Sequence, residues 1–217
     1  MFAVIVAVAG LFVAADRVLA HMAEGRLAER IACVAELDQP PSVTVAGWPF
    51  AGPQLTGRFR EVVVTATGVR WPGLAPSHVT ATATDVTMTG DGRLTAGALR
   101  ADLTIGYPTL ARGVSGGDGV LAVRTSATVA GETVPVTVYA RPALTGDRLT
   151  VEPTEIEAFG VRVPPARFAG RLPALPRHRL PALPAGLTYQ AVTAEPDGLA
   201  LIVTGTRITT DACGGDT

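Results

Sequence analysis

The chain has 217 residues, a formal net charge of −1 and only 5% aromatic side chains. This length is enough for one large domain or two small ones, and the near-neutral charge and sparse aromatics exclude a basic or base-stacking surface for nucleic acid. All 18 basic residues are Arg and the chain contains no Asn, which excludes a catalytic Lys and N-linked glycosylation.

Residues 1–15 carry no charged side chain, and three interpretations fit them. A membrane anchor needs about 20 apolar residues, so the apolar run would have to continue through Ala20. A cleaved signal sequence needs a shorter apolar core, and small residues suited to a cleavage site lie at Ala15 and Ala20. A buried helix of a cytosolic protein is the third interpretation. We expect export, with residues 1–15 acting as a signal sequence or an anchor.

Residues 17–37 are predicted to form one long amphipathic helix. Apolar side chains recur there at three- and four-residue steps, which places them on one stripe of a helix. No proline interrupts the segment, and the helix should end before Pro40 because the residue preceding a proline disfavours helical dihedral angles. The stripe consists of Leu19, Ala23, Leu27, Ile31 and Val34.

Residues 42–208 are predicted to form an antiparallel sheet, because segments of alternating apolar and polar residues are joined by short turns containing Gly or Asp-Gly. The clearest half-buried strand contains Leu103 and Ile105, which alternate with polar residues. The apolar phase changes in an earlier strand, which predicts a β-bulge near Thr84–Asp85. Pro135 lies inside a later strand and predicts either an edge strand or another bulge.

Residues 164–186 are rich in proline and repeat the sequence Leu-Pro-Ala-Leu-Pro. This composition predicts extended or short helical pieces and excludes an unbroken central strand. Residues 16–217 are therefore predicted to form a single α+β domain, in which one long helix shares a core with a large antiparallel sheet.

The two cysteines, Cys33 and Cys213, lie near opposite ends of the chain. Their spacing excludes a Cys-x-x-Cys metal or redox motif. In an exported protein they are a disulfide candidate that would join the C-terminal tail to the N-terminal helix. The chain-entropy model gives such a bridge a stabilisation on the order of 5 kcal/mol. Two buried free thiols are the alternative.

No group of residues in the sequence predicts catalysis or metal binding. The segment 113–117 fits the letters of the Gly-x-Ser-x-Gly nucleophile elbow, but that motif needs a strand before the serine and a helix after it. A flexible hairpin loop is the favoured interpretation of Ser115. His21, His78 and His178 are isolated from one another in the sequence, so no metal site is expected. We expect no enzymatic activity and no cofactor.

The predicted inward-facing strand residues are mainly Ala, Val, Leu and Thr. These small side chains fit two interpretations. They could let the helix and the sheet pack tightly into an ordinary filled core, or a curved sheet could leave a long apolar groove suited to acyl chains. Composition alone does not separate a filled core from a groove.

Several short motifs resemble those of the LmeA-type actinobacterial envelope proteins. The first set is PSVTVAGWPF at residues 41–50, QLTG at 54–57 and EVVV at 61–64. The closing set is LPALPAGL at residues 180–187 and Asp-Gly-Leu at 197–199. Together with the apolar N-terminus and the helix before the first motif, the resemblance covers nearly the whole chain.

The resemblance implies a tubular lipid-binding fold like that of bactericidal permeability-increasing protein. In that fold a strongly curved antiparallel sheet wraps around a long helix, and lipid lies in the groove between them. The resemblance also implies phospholipid binding at the extracytoplasmic face of the plasma membrane or in the periplasm, by a protein that is tethered or released. It further implies a role in lipomannan and lipoarabinomannan maturation, with phospholipid or glycolipid and the membrane as partners.

The lipid-binding hypothesis assigns roles to particular residues. Trp48 and Phe50 lie in a predicted turn and are expected at the groove mouth or in contact with the membrane, because Trp favours the interface. A turn staple buried in the core is the alternative for both. Acyl chains are expected to lie against helix and strand residues, namely Leu27, Ile31, Val34, Leu103, Ile105, Val123 and Val138.

Two other functions stay open at the level of the sequence. The chain could be a structural or scaffold protein of the envelope, whose apolar helix stripe is only core. It could also be a hydrolase acting on envelope lipids or glycans through Ser115. Phospholipid that copurifies with the protein would favour lipid binding over the scaffold, and loss of hydrolysis on Ser115→Ala would favour the enzyme.

Overall fold

The computed structural model of the chain describes residues 21–22, 24–29, 31–32, 37, 39–46, 57–69, 75–89, 93–129, 131–168 and 178–210. Some of the residues assigned above lie outside these ranges. They are residues 1–15, which carry the predicted signal or anchor, Leu19, Ala23 and Val34 of the predicted helix stripe, and Cys33, Trp48, Phe50 and Cys213.

Six strands form the first sheet, and all neighbouring strands are antiparallel. Their bounds are β1 (Ser42–Ala46), β2 (Arg58–Thr67), β3 (His78–Met88), β4 (Leu94–Ile105), β11 (Leu187–Glu195) and β12 (Gly198–Thr210). Across the sheet they lie in the order β1-β2-β3-β4-β12-β11. The C-terminal hairpin therefore extends the sheet that the N-terminal strands begin.

The middle of the chain forms the second antiparallel sheet. Its strands are β5 (Val114–Gly117), β6 (Val120–Val129), β7 (Glu132–Thr145), β8 (Arg148–Ala158), β9 (Val161–Val163) and β10 (His178–Arg179). The order is β10-β8-β7-β6-β5, and β9 pairs with β8. A short helix, α1 (Tyr107–Leu110), connects the first sheet to β5, and a 3-10 turn (Pro165–Phe168) follows β9.

Alternation of side chains explains why these segments pair as strands. In β4 the apolar side chains of Leu103 and Ile105 are buried, while Arg100 and Asp102 on the other face are exposed. A strand points successive side chains to opposite faces, so this alternation gives the sheet one apolar and one polar face. The predicted half-buried strand is thus confirmed.

Pro135 was expected on an edge strand or at a bulge, and the edge-strand prediction is wrong. β7 lies between β6 and β8 in the interior of the second sheet. Pro135 pairs with Ser126 of β6, whereas the pairing of β7 with β8 begins only at Val136. Pro135 therefore lies beyond the end of β8, where a missing backbone N–H can be accommodated.

The two sheets meet in a shared core. Leu103 and Leu201 from the first sheet pack in one cluster with Leu121 and Leu149 from the second. Leu180, from the proline-rich segment, is buried in the same cluster. As predicted, the described part of that segment is a 3-10 turn, a two-residue strand and extended chain. Leu180 and Leu183 of this segment therefore pack against the core that joins the sheets.

The predicted fold, a long helix wrapped by one strongly curved sheet, is wrong. Within the predicted helix 17–37, the described helical residues are 21–22, 24–29 and 31–32, and Leu37 is not helical. Leu103 and Ile105 were expected to face that helix, but they pack in the cluster that contains residues of the second sheet. Each sheet has an apolar face that must be covered, and here one part of the first sheet packs against the second sheet while another part packs against the N-terminal helical residues.

Candidate functional site

A crease crosses the first sheet where four neighbouring strands interrupt their pairing at the same level. The residues there are Arg60, Asp85, Gly97 and Arg207, which lie opposite one another in register. Asp85 and Arg207 have left-handed backbones, with φ of 52° and 53°. The pairing resumes beyond the crease in the same register. The strand pairing is therefore interrupted along one line, which we call the crease, without a shift in register.

The crease changes which side chains face inward. Ala81, Ala83 and Val86 of β3 all line one cavity, although uninterrupted alternation would place Val86 on the opposite face from Ala83. The predicted phase change near Thr84–Asp85 is therefore confirmed. The predicted bulge is wrong, because no extra residue is inserted and the register is unchanged.

An apolar cavity of about 210 Å³ lies over the inner face of the creased region. Strands β2, β3, β4 and β12 supply most of its lining, and among the described residues none of the lining side chains is charged. Thr95 and Thr210 are its polar lining residues. Six of the apolar ones are Val62, Val64, Ala81, Ala83, Ala96 and Leu99.

The N-terminal helical residues cover this cavity. Leu27 and Ile31, one helical turn apart, both line it. Leu27 is only 1% exposed and packs with Val43, Val45 and other residues of the first sheet. The helical segment therefore closes over the cavity and shares its core.

A polar contact fastens the same segment to the sheet edge. Glu24 Oε1 accepts a hydrogen bond from the backbone N–H of Val45, at 3.4 Å, and Glu24 Oε2 lies 3.4 Å from His21 Nδ1. Val45 belongs to β1, the edge strand, where backbone groups lack a neighbouring strand on one side. Glu24 thus supplies a partner to an edge N–H beside the cavity.

The opposite face of the first sheet is polar. Its hollow, of about 640 Å³, is lined by Arg100 and by threonines that include Thr82, Thr84 and Thr204. The Arg100 guanidinium donates to both carboxylate oxygens of Asp102, at 2.8 and 3.0 Å. The two faces of the sheet therefore offer opposite chemistry, apolar inside and hydroxyl-rich outside.

The structure distributes the predicted lipid-contact residues over three places. Leu27 and Ile31 line the cavity. Leu103 and Ile105 lie in the core between the sheets, and Val138 is fully buried within the second sheet's own cluster. Val123 is half-buried on β6. Only the helix pair is brought together at the cavity, and the lipid contacts of all these residues stay predictions.

Sequence reasoning missed most of the cavity lining. Small inward-facing residues were expected in the strands, but Val62, Ala96 and Ile208 were not connected with one another. The available signal was the alternation of small residues in β3 and β4, which leaves room above the sheet. What the sequence does not reveal is that β12, from the far end of the chain, pairs with β4.

The described residues show no arrangement of catalytic or metal-binding groups. Ser115 is exposed on the short strand β5, which is followed by a turn and β6 rather than by a helix. No three His, Cys, Asp or Glu side chains among these residues lie close enough together to hold a metal ion. Over the same ranges, no helix combines the length and apolar character needed to span a bilayer.

Comparison with known proteins gives one match. A family model described as LmeA-like phospholipid-binding matches residues 14–204. No curated protein and no solved structure matches the chain. The matched region contains Leu27, Ile31 and the cavity-lining residues of β2, β3 and β4.

Proposed function

Because the chain belongs to the LmeA-like phospholipid-binding family, we propose that it binds phospholipid by taking part of an acyl chain into the cavity beneath Leu27 and Ile31. The observation that carries the proposal is that every lining side chain among the described residues is uncharged. An acyl chain offers only apolar surface, so it gains from burial there and leaves no polar group unpaired.

The volume of the cavity limits how much of a lipid molecule it can enclose. Its volume of about 210 Å³ exceeds that of an apolar cavity of roughly 150 Å³ known to bind benzene. It is smaller than the roughly 300–1,000 Å³ typical of pockets that enclose a whole ligand. The proposed occupant is therefore a segment of one acyl chain, with the headgroup outside the cavity.

The proposed role is carriage or presentation of lipid without catalysis. Among the described lining residues none has an ionisable or nucleophilic side chain beyond the hydroxyls of Thr95 and Thr210. Ester hydrolysis needs a nucleophile activated by an adjacent base, and none of the described lining residues has a side chain that could act as that base. The lining therefore supports binding rather than turnover.

The proposed setting is the extracytoplasmic face of the plasma membrane or the periplasm, with the chain either tethered or released. The uncharged residues 1–15 support export, and the family match supports a lipid partner. Support of lipomannan and lipoarabinomannan maturation, with a glycolipid as a further partner, belongs to the same proposal. So does a disulfide between Cys33 and Cys213, which thiol labelling with and without reductant tests.

A pair of substitutions on one strand tests the cavity. Ala96 lines the cavity and Ala98 lines the polar hollow on the other face of β4. We expect Ala96→Leu to fill part of the cavity and weaken binding of a fluorescent phospholipid about tenfold. That factor corresponds to displacing roughly two methylenes at about 0.8 kcal/mol each. Ala98→Leu adds the same side chain outside and should bind as the wild type does.

Native mass spectrometry of the full chain from its host provides the complementary measurement. Copurified phospholipid supports the proposal, and its amount should fall in Ala96→Leu only. If the wild type neither carries phospholipid nor acquires it from vesicles, the lipid proposal fails, and an apolar core without a ligand takes its place.

A further inference from the structure

Two hairpin turns of the second sheet have similar backbone φ angles but differ in the type of residue at the first turn position. The turn between β5 and β6 has Asp118 and Gly119 at its centre, with φ of 53° and 78°. The turn between β8 and β9 has Phe159 and Gly160, with φ of 53° and 75°. Two-residue turns with both φ positive favour Asn, Asp or Gly at the first position. Phe159 breaks this preference.

A left-handed backbone is unfavourable for a bulky residue, and packing does not compensate for it at Phe159. The side chain is 81% exposed, and Val161, on the other side of the turn, is 60% exposed. Single exposed apolar residues are common on protein surfaces. An aromatic that is exposed, at a hairpin tip and in an unfavourable conformation is not explained by folding, and such outliers point toward function.

The surroundings of the tip are apolar on one side and carry one cation beside two carboxylates on the other. Ala158, Val163 and Phe168 pack partly buried against the core cluster of the second sheet. On the other side Arg162 lies 4.3 Å from the centroid of the Tyr139 ring and contacts Glu155 and Glu157 at 3.4 Å. One cation thus faces two carboxylates, so these three side chains together carry no net positive charge.

We propose that the β8–β9 tip, defined by Phe159, Gly160 and Val161, inserts into the interfacial region of a phospholipid bilayer. The inference rests on the proposed function, since a protein that takes up phospholipid must meet a membrane. A bilayer fits this tip better than a protein does. A stable protein interface needs roughly 1,000 Å² or more, whereas a protruding aromatic side chain can enter the membrane interface on its own.

One substitution separates a membrane role from a merely tolerated residue. Phe159→Asn places a preferred residue in the left-handed position, so the chain should become more resistant to urea. The same change should weaken binding of the full chain to phosphatidylcholine vesicles about tenfold, the factor expected from losing one partly buried Phe. Asp118→Asn, at the matching turn of β5–β6, should leave vesicle binding unchanged.

A local readout distinguishes insertion of the tip from contacts made by the apolar N-terminus. In Phe159→Trp, vesicles of brominated phosphatidylcholine should quench the new tryptophan, measured against the two native tryptophans in the wild type. Because Arg162 faces two glutamates, attraction to anionic lipid does not drive insertion, so quenching should not require added phosphatidylglycerol and should persist at high salt. Quenching that requires phosphatidylglycerol would overturn the inference.

Other outcomes would contradict insertion of the tip without bearing on the proposal that the cavity binds phospholipid. If Phe159→Asn binds vesicles as the wild type does, the inference is wrong even when both chains still bind monomeric short-chain phospholipid. Self-association that Phe159→Asn abolishes, without vesicle binding, would assign the tip to a protein contact instead. If the wild type binds no monomeric phospholipid, the proposed function fails, and quenching of Phe159→Trp still reports on the tip separately.

Discussion

Small side chains on the inner face of the first sheet create the cavity. Ala81, Ala83 and Ala96 stand where larger residues would fill the space between the strands and the helical residues Leu27 and Ile31. Protein interiors normally leave few voids larger than a water molecule. The apolar cavity of about 210 Å³ between the sheet and the helical residues is partly open rather than sealed, and the small alanine side chains leave the space for it.

Another residue-scale feature fastens the proline-rich segment. Arg179 Nε donates to Asp147 Oδ2 at 2.6 Å, and the backbone N–H of Leu180 donates to the carbonyl oxygen of Asp147 at 2.7 Å. The hydrogen bond from the Arg179 guanidinium holds the pKa of the Asp147 carboxyl below its ordinary value. This pair positions Leu180 to enter the core between the sheets.

We predict that Arg179→Gln raises the pKa of Asp147 toward its ordinary value, because the main group that favours the carboxylate is removed. NMR titration of the aspartate carboxyl carbons measures this directly. The pKa is lowered in the folded wild type, so the pair stabilises the fold above the unfolded-state pKa. That stabilisation disappears as the pH falls through the folded-state value. The two proteins should accordingly converge in stability at acidic pH, and an unchanged pKa in the variant would contradict the assignment.

At the scale of elements, the crease organises the site. It reverses the alternation in β3 between Ala83 and Val86, so both face the cavity. Gly97 lies opposite Asp85, and a Cβ at Gly97 would approach Asp85 Cβ to 3.1 Å. The tight approach explains why a glycine occupies this position of β4.

A double-mutant cycle tests this contact. Gly97→Ala should destabilise the protein by about 1 kcal/mol, because the added methyl group crowds Asp85. Asp85→Gly removes the crowded Cβ and suits the positive φ, so Gly97→Ala should cost less in that background. We expect a coupling energy of about 0.5–1 kcal/mol, measured by urea denaturation. Strictly additive effects would show that the two positions do not restrain each other.

At the scale of the whole molecule, one core joins both sheets. Leu201 on β12 is almost fully buried and shares a cluster with Leu121 and Leu149. Tyr107, in the connection between the sheets, donates its phenolic O–H to the carbonyl oxygen of Glu195, and burial raises the pKa of Tyr107. The sheets are thus expected to unfold as one cooperative unit.

We predict that Leu201→Ala lowers the free energy of unfolding by about 2–5 kcal/mol, the range for deleting a buried leucine. Hydrogen exchange should show faster amide exchange in β7 of the second sheet as well as in β4 of the first. Ile202→Ala, the adjacent half-buried position on the other face of β12, should cost less. If β7 amides kept wild-type protection in Leu201→Ala, the two sheets would be separate cooperative units.

Local patterns accounted for the strands. The alternation around Leu103 and Ile105 predicts one buried and one exposed face, and the strand shows both. The change of apolar phase near Asp85 could also be predicted, because it depends on only a few consecutive residues. Pro135 predicts an edge strand or a bulge, and the edge alternative is wrong because the sequence shows the missing N–H but not where the neighbouring strand ends.

The sequence by itself determined that the chain is largely antiparallel β-structure with small apolar inward-facing residues, because the period-2 pattern and the turn residues are local properties. It also carried the motifs of a phospholipid-binding family. Only the tertiary structure decided what covers each apolar face. Leu103 packs against a second sheet, while Ala83 and Ala96 face a cavity beneath Leu27. An apolar face can be buried by a helix, by another sheet or by a ligand, so local alternation does not identify which of them packs against it.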